Sequence, residues 1–235
     1  MSSKKWFPLE ANPDVMNIYT ESLGVGSADA PLPISFHDVY GLDDEMLGFV
    51  PQPVIAVVFL YPINDANEAL RFEGNFLPAD EQAGLFYTKQ TVSNACGTIG
   101  ILHALLNNVE KLGPLKDGSI LSDFASKLPS LTPDERAKVI ENSSDLDSVQ
   151  SGAAQMGQTE NQSIDADINL HFVCFVHHNG KCVELDGRKK GPLVVGECTP
   201  ETLLKASATQ IQAYAALSPD SVQFSIIALA GVPAS

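Results

Sequence analysis

Cys96 and Gly97 open a run in which Ile99, Leu102, Leu105 and Leu106 recur at helical spacing, so the thiol falls in the first turn of a helix reaching about Asn108. A thiol attacks carbonyls only as the thiolate, and a helix N-terminus beside a histidine lowers the thiol pKa. Ser93 or Asn94 is placed to cap that helix, and Gly97, without a side chain, would let a substrate backbone come close to the sulfur. Free cysteines are more often buried packing residues. Position alone therefore does not choose between chemistry and structure.

Gln90 lies six residues before Cys96, and its amide could join the Cys96 N–H in holding a developing oxyanion, at a spacing that papain-like enzymes use. A donor of this kind is worth roughly a hundredfold to a thousandfold in rate. The base must be one of five histidines. His103 follows Cys96 by seven residues, about 10 Å along a helix axis, which is too far. His177 and His178 fall at a hairpin tip, and His37 has no carboxylate pattern near it.

His171 differs because a hairpin supplies its partner. Leu170 to Val176, the turn His177-His178-Asn179-Gly180, and Lys181 to Asp186 read as two antiparallel strands. With a four-residue loop, His171 lies directly opposite Asp186; with a tight Asn179-Gly180 turn the two are diagonal neighbours on the same face. Either register lets the carboxylate accept the imidazole N–H and fix its tautomer. Glu184 shares that face and is the rival carboxylate. A zinc cluster of Cys174, His177, His178 and Cys182 is disfavoured, since the two cysteines point to opposite faces of the strands.

The elements that must hold these groups come from the remaining pattern. Asn12-Pro13-Asp14 starts a helix running towards Gly24, Pro53 to Tyr61 is a buried strand, and residues 63–86 read as an exposed excursion. Ser119 to Leu128 is amphipathic, Thr132-Pro133-Asp134-Glu135 is a capping box for a helix to about Asn142, and Thr199-Pro200-Glu201 opens another. Gly157 to Asp167 is a polar loop, and Gln223 to Ala230 a final buried strand.

The chain of 235 residues is 44% hydrophobic and shows no linker between separate cores, so one domain is expected. There is no signal-type h-region and no apolar run of membrane-spanning length. Four irregularly spaced cysteines fit reduced thiols in the cytoplasm. A net charge of −15 argues against nucleic acid and favours a basic protein partner.

With those residues in hand, the chain resembles the ubiquitin C-terminal hydrolase family of cysteine deubiquitinases, especially its short single-domain members, over nearly its whole length. The resemblance is carried by Trp6 to Asn17 (WFPLEANPDVMN), Asp38 to Leu42 (DVYGL), Lys89 to His103 (KQTVSNACGTIGILH), Gly157 to Glu160 (GQTE), Leu170 to Phe172 (LHF) and Glu184 to Lys189 (ELDGRK). It implies an α/β (α+β), papain-like architecture, with a central antiparallel β-sheet flanked by helices and a knotted backbone, in one catalytic domain over residues 1–235. It makes Cys96 the nucleophile, His171 the general base and acid, Asp186 its orienter and Gln90 the oxyanion donor, with no metal and no organic cofactor.

The implied partner is ubiquitin, with NEDD8 a further candidate, contacted through Pro8, Leu9, Glu10, Ala11, Asn12 and Pro13 and through Gly157, Gln158, Thr159 and Glu160. A crossover loop at about residues 148–167 is expected to arch over the site and to favour small or unfolded leaving groups. Neither nucleic acid nor membrane is an expected partner. The expected state is a monomer in the cytoplasm, with the nucleus a second location.

Overall fold

Strand β2 (Val54–Pro62) is apolar along nearly all of its length because both of its faces are covered. In the computed structural model, which describes residues 4–26, 33–154, 156 and 169–231, it lies inside a six-stranded sheet. The other strands are β1 (Ile34–Asp38), β3 (Leu170–His178), β4 (Lys181–Leu185), β5 (Leu193–Glu197) and β6 (Ser225–Gly231). Their order is β1-β6-β2-β3-β4-β5, and every pairing is antiparallel.

The helices are α1 (Pro13–Leu23), α2 (Asp44–Leu47), α3 (Asp65–Ala69), α4 (Cys96–Leu106), α5 (Ile120–Lys127), α6 (Pro133–Glu141), α7 (Ser144–Ala154) and α8 (Leu203–Ala216). They pack on both faces of the sheet and divide the core in two. Val58, Phe172, Cys174 and Leu229 meet Met16, Ile101, Leu102 and Leu121 on one side. Val57, Phe59, Val173 and Phe175 meet Leu204, Ile211 and Tyr214 of α8 on the other. The alternation along each strand follows the period of two of an extended chain. Among the described residues, no helix is long and apolar enough to cross a membrane.

Several expected ends hold. Asn12 accepts the Asp14 N–H at 2.9 Å and Pro13 is the first residue of α1, which stops at Gly24 with φ 110°. Thr132 and Glu135 bond reciprocally at the start of α6. The hairpin takes the tight register: Asn179 and Gly180 have φ of 48° and 78°, the left-handed pair of a two-residue turn, and His178 pairs with Lys181.

Other expectations fail for identifiable reasons. Helix α4 begins on Ala95, with no side-chain cap, rather than on Ser93 or Asn94. The Ser93 backbone is held in a bridge to the N-terminal segment, its carbonyl accepting the Trp6 N–H at 3.1 Å and its N–H donating to the Lys4 carbonyl at 3.2 Å, while Asn94 turns the chain with φ 61°. Residues 148–154, expected in the crossover loop, belong to α7 (Ser144–Ala154) instead, and residues 157–167 of that loop lie outside the described residues. Residues 63–86 are not simply exposed. Asn64 and Asn67 cap α3 reciprocally, Asn67 is buried, and the Leu77 N–H bonds the Pro192 carbonyl at 2.9 Å, which pins this stretch beside the turn after β4.

Candidate active site

The site forms where the N-terminus of α4 meets the first residues of β3. His171 and Asp186 sit diagonally across the β3–β4 pair, on one face, and His171 Nε2 lies 2.8 Å from Asp186 Oδ1. That bond commits Nε2 to the carboxylate and leaves Nδ1 for the sulfur. Both residues are almost wholly buried, so the bond acts at low dielectric. Asp186 Oδ1 also accepts the Arg188 N–H at 2.8 Å, and its Oδ2 is buried with no hydrogen-bond partner among the described residues.

Burial by itself would push the Cys96 thiol up, but a hydrogen bond and charge interaction with His171, joined by the backbone N–H groups of Phe172 and Gly97, bring it below the ordinary thiol range. Burial likewise opposes charge on His171, and the Asp186 carboxylate outweighs it, raising the imidazole from 6.5 to about 9. Asp186, raised by burial and lowered more strongly by His171, falls to about 2. The shifts of the three groups thus run in the direction of a thiolate–imidazolium pair backed by a carboxylate.

The other cysteines are held the opposite way. Burial raises Cys174 far above the ordinary range, pushes Cys182 up to about 12 and raises Cys198. Cys174 lies in one core and Cys182 in the other; their sulfurs do not converge on a common ion. Among the described residues, no group of three or more His, Cys, Asp or Glu could hold a metal.

The remaining histidines have local work. His103 accepts the Thr88 N–H at 3.1 Å, stacks on Tyr87 with centroids 5.5 Å apart, and is held down at about 4, chiefly by burial. His37 Nε2 lies 2.9 Å from Ser35 Oγ. His177 accepts the Gly180 N–H at 3.2 Å and His178 faces the Glu81 carbonyl at 2.9 Å. Glu184, the rival carboxylate, pairs with Lys189 at 2.6 Å instead of with His171.

Gln90 is fixed through its backbone, whose N–H donates to the Gly187 carbonyl at 2.9 Å. Its Nε2 makes a long 3.2 Å bond to the Val92 carbonyl, and its Oε1 is buried without a partner among the described residues. Gly97 corrects an expectation. A Cβ there would stand 3.0 Å from Leu9 Cβ and 3.3 Å from the Phe172 ring, so its smallness lets the N-terminal segment and β3 close over the helix, rather than admitting substrate.

Leu9 is accordingly 4% exposed, whereas Pro8, Glu10, Ala11, Asn12 and Pro13 are half-buried. Gly157, Gln158, Thr159 and Glu160 lie outside the described residues. The helix leading towards them is tied to the site: Gln150 of α7 donates to the Phe7 carbonyl at 2.8 Å and accepts from Thr98 Oγ1 of α4 at 2.5 Å. Trp6 Nε1 adds a bond to Asp147 at 2.8 Å. The N–H groups of Phe172 and Gly97 at the sulfur escaped the sequence reading, since every residue but proline carries such a donor and nothing in the sequence marks these two.

Three comparisons bear on this geometry. The family model described as ubiquitin carboxyl-terminal hydrolase, family 1, matches residues 6–216. Ubiquitin carboxyl-terminal hydrolase 3 of Arabidopsis thaliana is 45% identical over 230 residues, 97% of this chain and 95% of its own. The human ubiquitin carboxyl-terminal hydrolase isozyme L1 is 35% identical over 224 residues, 94% of this chain and 96% of its own. Among solved structures, the catalytic domain of Trichinella spiralis UCH37, bound to ubiquitin vinyl methyl ester, superposes with a TM-score of 0.77 at 20% identity, covering 99% of this chain and 98% of that one.

Proposed function

The chain belongs to ubiquitin carboxyl-terminal hydrolase family 1, a family of cysteine-type deubiquitinating hydrolases, and on that premise we propose which of its residues carry the reaction and on what. Cys96, as thiolate, attacks the carbonyl of ubiquitin's C-terminal glycine. The Cys96 N–H and the Gln90 amide hold the oxyanion, which accepts the hydrogen bond that Nε2 now gives to the Val92 carbonyl at 3.2 Å. His171, protonated at rest, passes its proton to the leaving amine or thiol, and then draws one from the water that hydrolyses the acyl-enzyme. Asp186 keeps the imidazole in place throughout. No step calls for a metal or an organic cofactor.

The observation that carries this reading is the single line of groups from Cys96 through His171 to Asp186, with the last bond at 2.8 Å and the thiol lowered by His171. Ubiquitin as partner is supported by the relatives' names and by the ubiquitin ester bound to the Trichinella spiralis protein. A basic partner also suits a net charge of −15.

The test is a ubiquitin probe bearing a C-terminal electrophile, run beside its NEDD8 counterpart, followed by mapping of the modified residue. Labelling of Cys96, together with a Cys96→Ala variant that binds ubiquitin but no longer turns over, is expected. Equal slow rates for the wild type and Cys96→Ala would sink the assignment and leave a ubiquitin-holding role in its place.

A further inference from the structure

Behind the imidazole lies a buried polar cluster that the steps above leave unused. Glu184 and Lys189, 0% and 2% exposed, pair at 2.6 Å. The hydroxyl of Tyr214, on α8, lies 3.0 and 3.1 Å from the two carboxylate oxygens of Glu184 and accepts from Lys189 Nζ at 2.9 Å. A buried ion pair is a weak source of stability, because desolvation consumes most of what the attraction returns. Its placement points to another use.

The two charged residues straddle Asp186. The Lys189 N–H donates to the Asp186 carbonyl at 3.0 Å and closes a turn whose next carbonyl, Gly187, receives the Gln90 N–H at 2.9 Å. A Cβ on Gly187 would come within 2.8 Å of the Gln90 nitrogen, so turn and Gln90 are in direct backbone contact. The Lys189 carbonyl takes the Tyr87 hydroxyl and Lys89 Nζ, both at 2.6 Å. On the far side the Tyr214 ring stacks on Tyr61 at 4.7 Å, and Tyr61 stands perpendicular to His171 at 5.8 Å.

We propose that Glu184, Lys189 and Tyr214 are positioning residues for the hydrolase reaction: the ion pair ties the two ends of the 184–189 turn together and thereby holds Asp186 against His171 and keeps the Gln90 backbone in register. The proposal rests on the roles given above to Cys96, His171, Asp186 and Gln90. It treats the buried pair as a clamp that sets the basicity of the imidazole rather than as a source of fold stability.

The decisive variant is the double substitution Glu184→Gln with Lys189→Met, which leaves the local charge sum and volume nearly unchanged and removes only the tie. Buried pairs tolerate such exchanges. Followed by NMR in the substrate-free protein, His171 is expected to titrate lower than in the wild type by about one pH unit. On a ubiquitin C-terminal fluorogenic amide, kcat per probe-labelled site is expected to fall about tenfold with KM unchanged. Wild-type titration and wild-type kcat per labelled site overturn the proposal, and so does a smaller labelled fraction whose remaining sites behave normally.

Should the double variant not fold, Tyr214→Phe decides by kcat per labelled site, expected to drop about threefold, because the ring stays on Tyr61 and only the hydroxyl is lost. An unchanged value overturns the proposal. A wild-type chain inert towards ubiquitin adducts would overturn the reading of the reaction, while the imidazole titration would still decide the role of the cluster.

Discussion

Helix α6 begins on Thr132 and Glu135, whose side chains bond back to one another's backbone, whereas α4 begins on Ala95, which offers its first turn no side-chain partner. A missing cap ordinarily costs a helix about 1 kcal/mol. In α4 the loss is offset by packing, since every residue from Gly97 to Leu105 is buried. What the vacant position achieves is chemical. The Gly97 N–H turns to the Cys96 sulfur, and in the proposed reaction the Cys96 N–H is left to an oxyanion. The same helix end serves stability where it is closed and reactivity where it is open.

Substitutions can break that contrast. Cys96→Ala should lower turnover by about 10⁵-fold or more while shifting stability by less than about 1 kcal/mol, measured by steady-state hydrolysis and denaturant unfolding. A large loss of stability would make the α4 end structural after all. Asp186→Asn comes next, with a fall of roughly 10³- to 10⁴-fold. It also carries a sign. In the proposed reaction activity requires the imidazolium, so in the wild type the alkaline limb of kcat/KM should lie near 9, where raised His171 loses its proton. Without the carboxylate that limb should move down towards 6.5, the ordinary value, and a stationary limb would refute the coupling.

Gln90→Ala should reduce kcat about 10²- to 10³-fold with little change in KM; a change confined to KM would assign the amide to binding instead. Smallest is Thr132→Ala at the closed helix end. It should cost about 1 kcal/mol of unfolding free energy and leave kcat per labelled site untouched. If it slowed turnover, the division between a structural and a chemical helix start would fail.

The pairing of His171 with Asp186 was legible because the two admissible hairpin registers differ by two residues, the strand's own period, and so both kept the two on one face. Which register formed depended on Asn179 and Gly180 adopting left-handed backbone, a choice that local pattern left open. The start of α4 was misplaced for a different reason. Ser93 and the N-terminal segment bond to each other across a long stretch of chain, and a tertiary contact of that kind outranks capping propensity. Strands β1 and β5 went unread because they are short edge strands, only partly buried, where alternation is weak. Gly97 was legible as necessary but not as packed against Leu9, which is a fact of the fold.

The strand order also governs how the protein can assemble as it is made. Strands β2 to β5 can pair with one another once residue 197 has been synthesised, yet among the described residues β1 has β6 as its only neighbour and β2 shares its second edge with β6. Until residues 225–231 arrive, β2 presents a long apolar edge, a template for wrong pairing. A nascent chain halted before Ser225 would already contain Cys96, His171 and Asp186, and would still leave that edge of β2 unpaired.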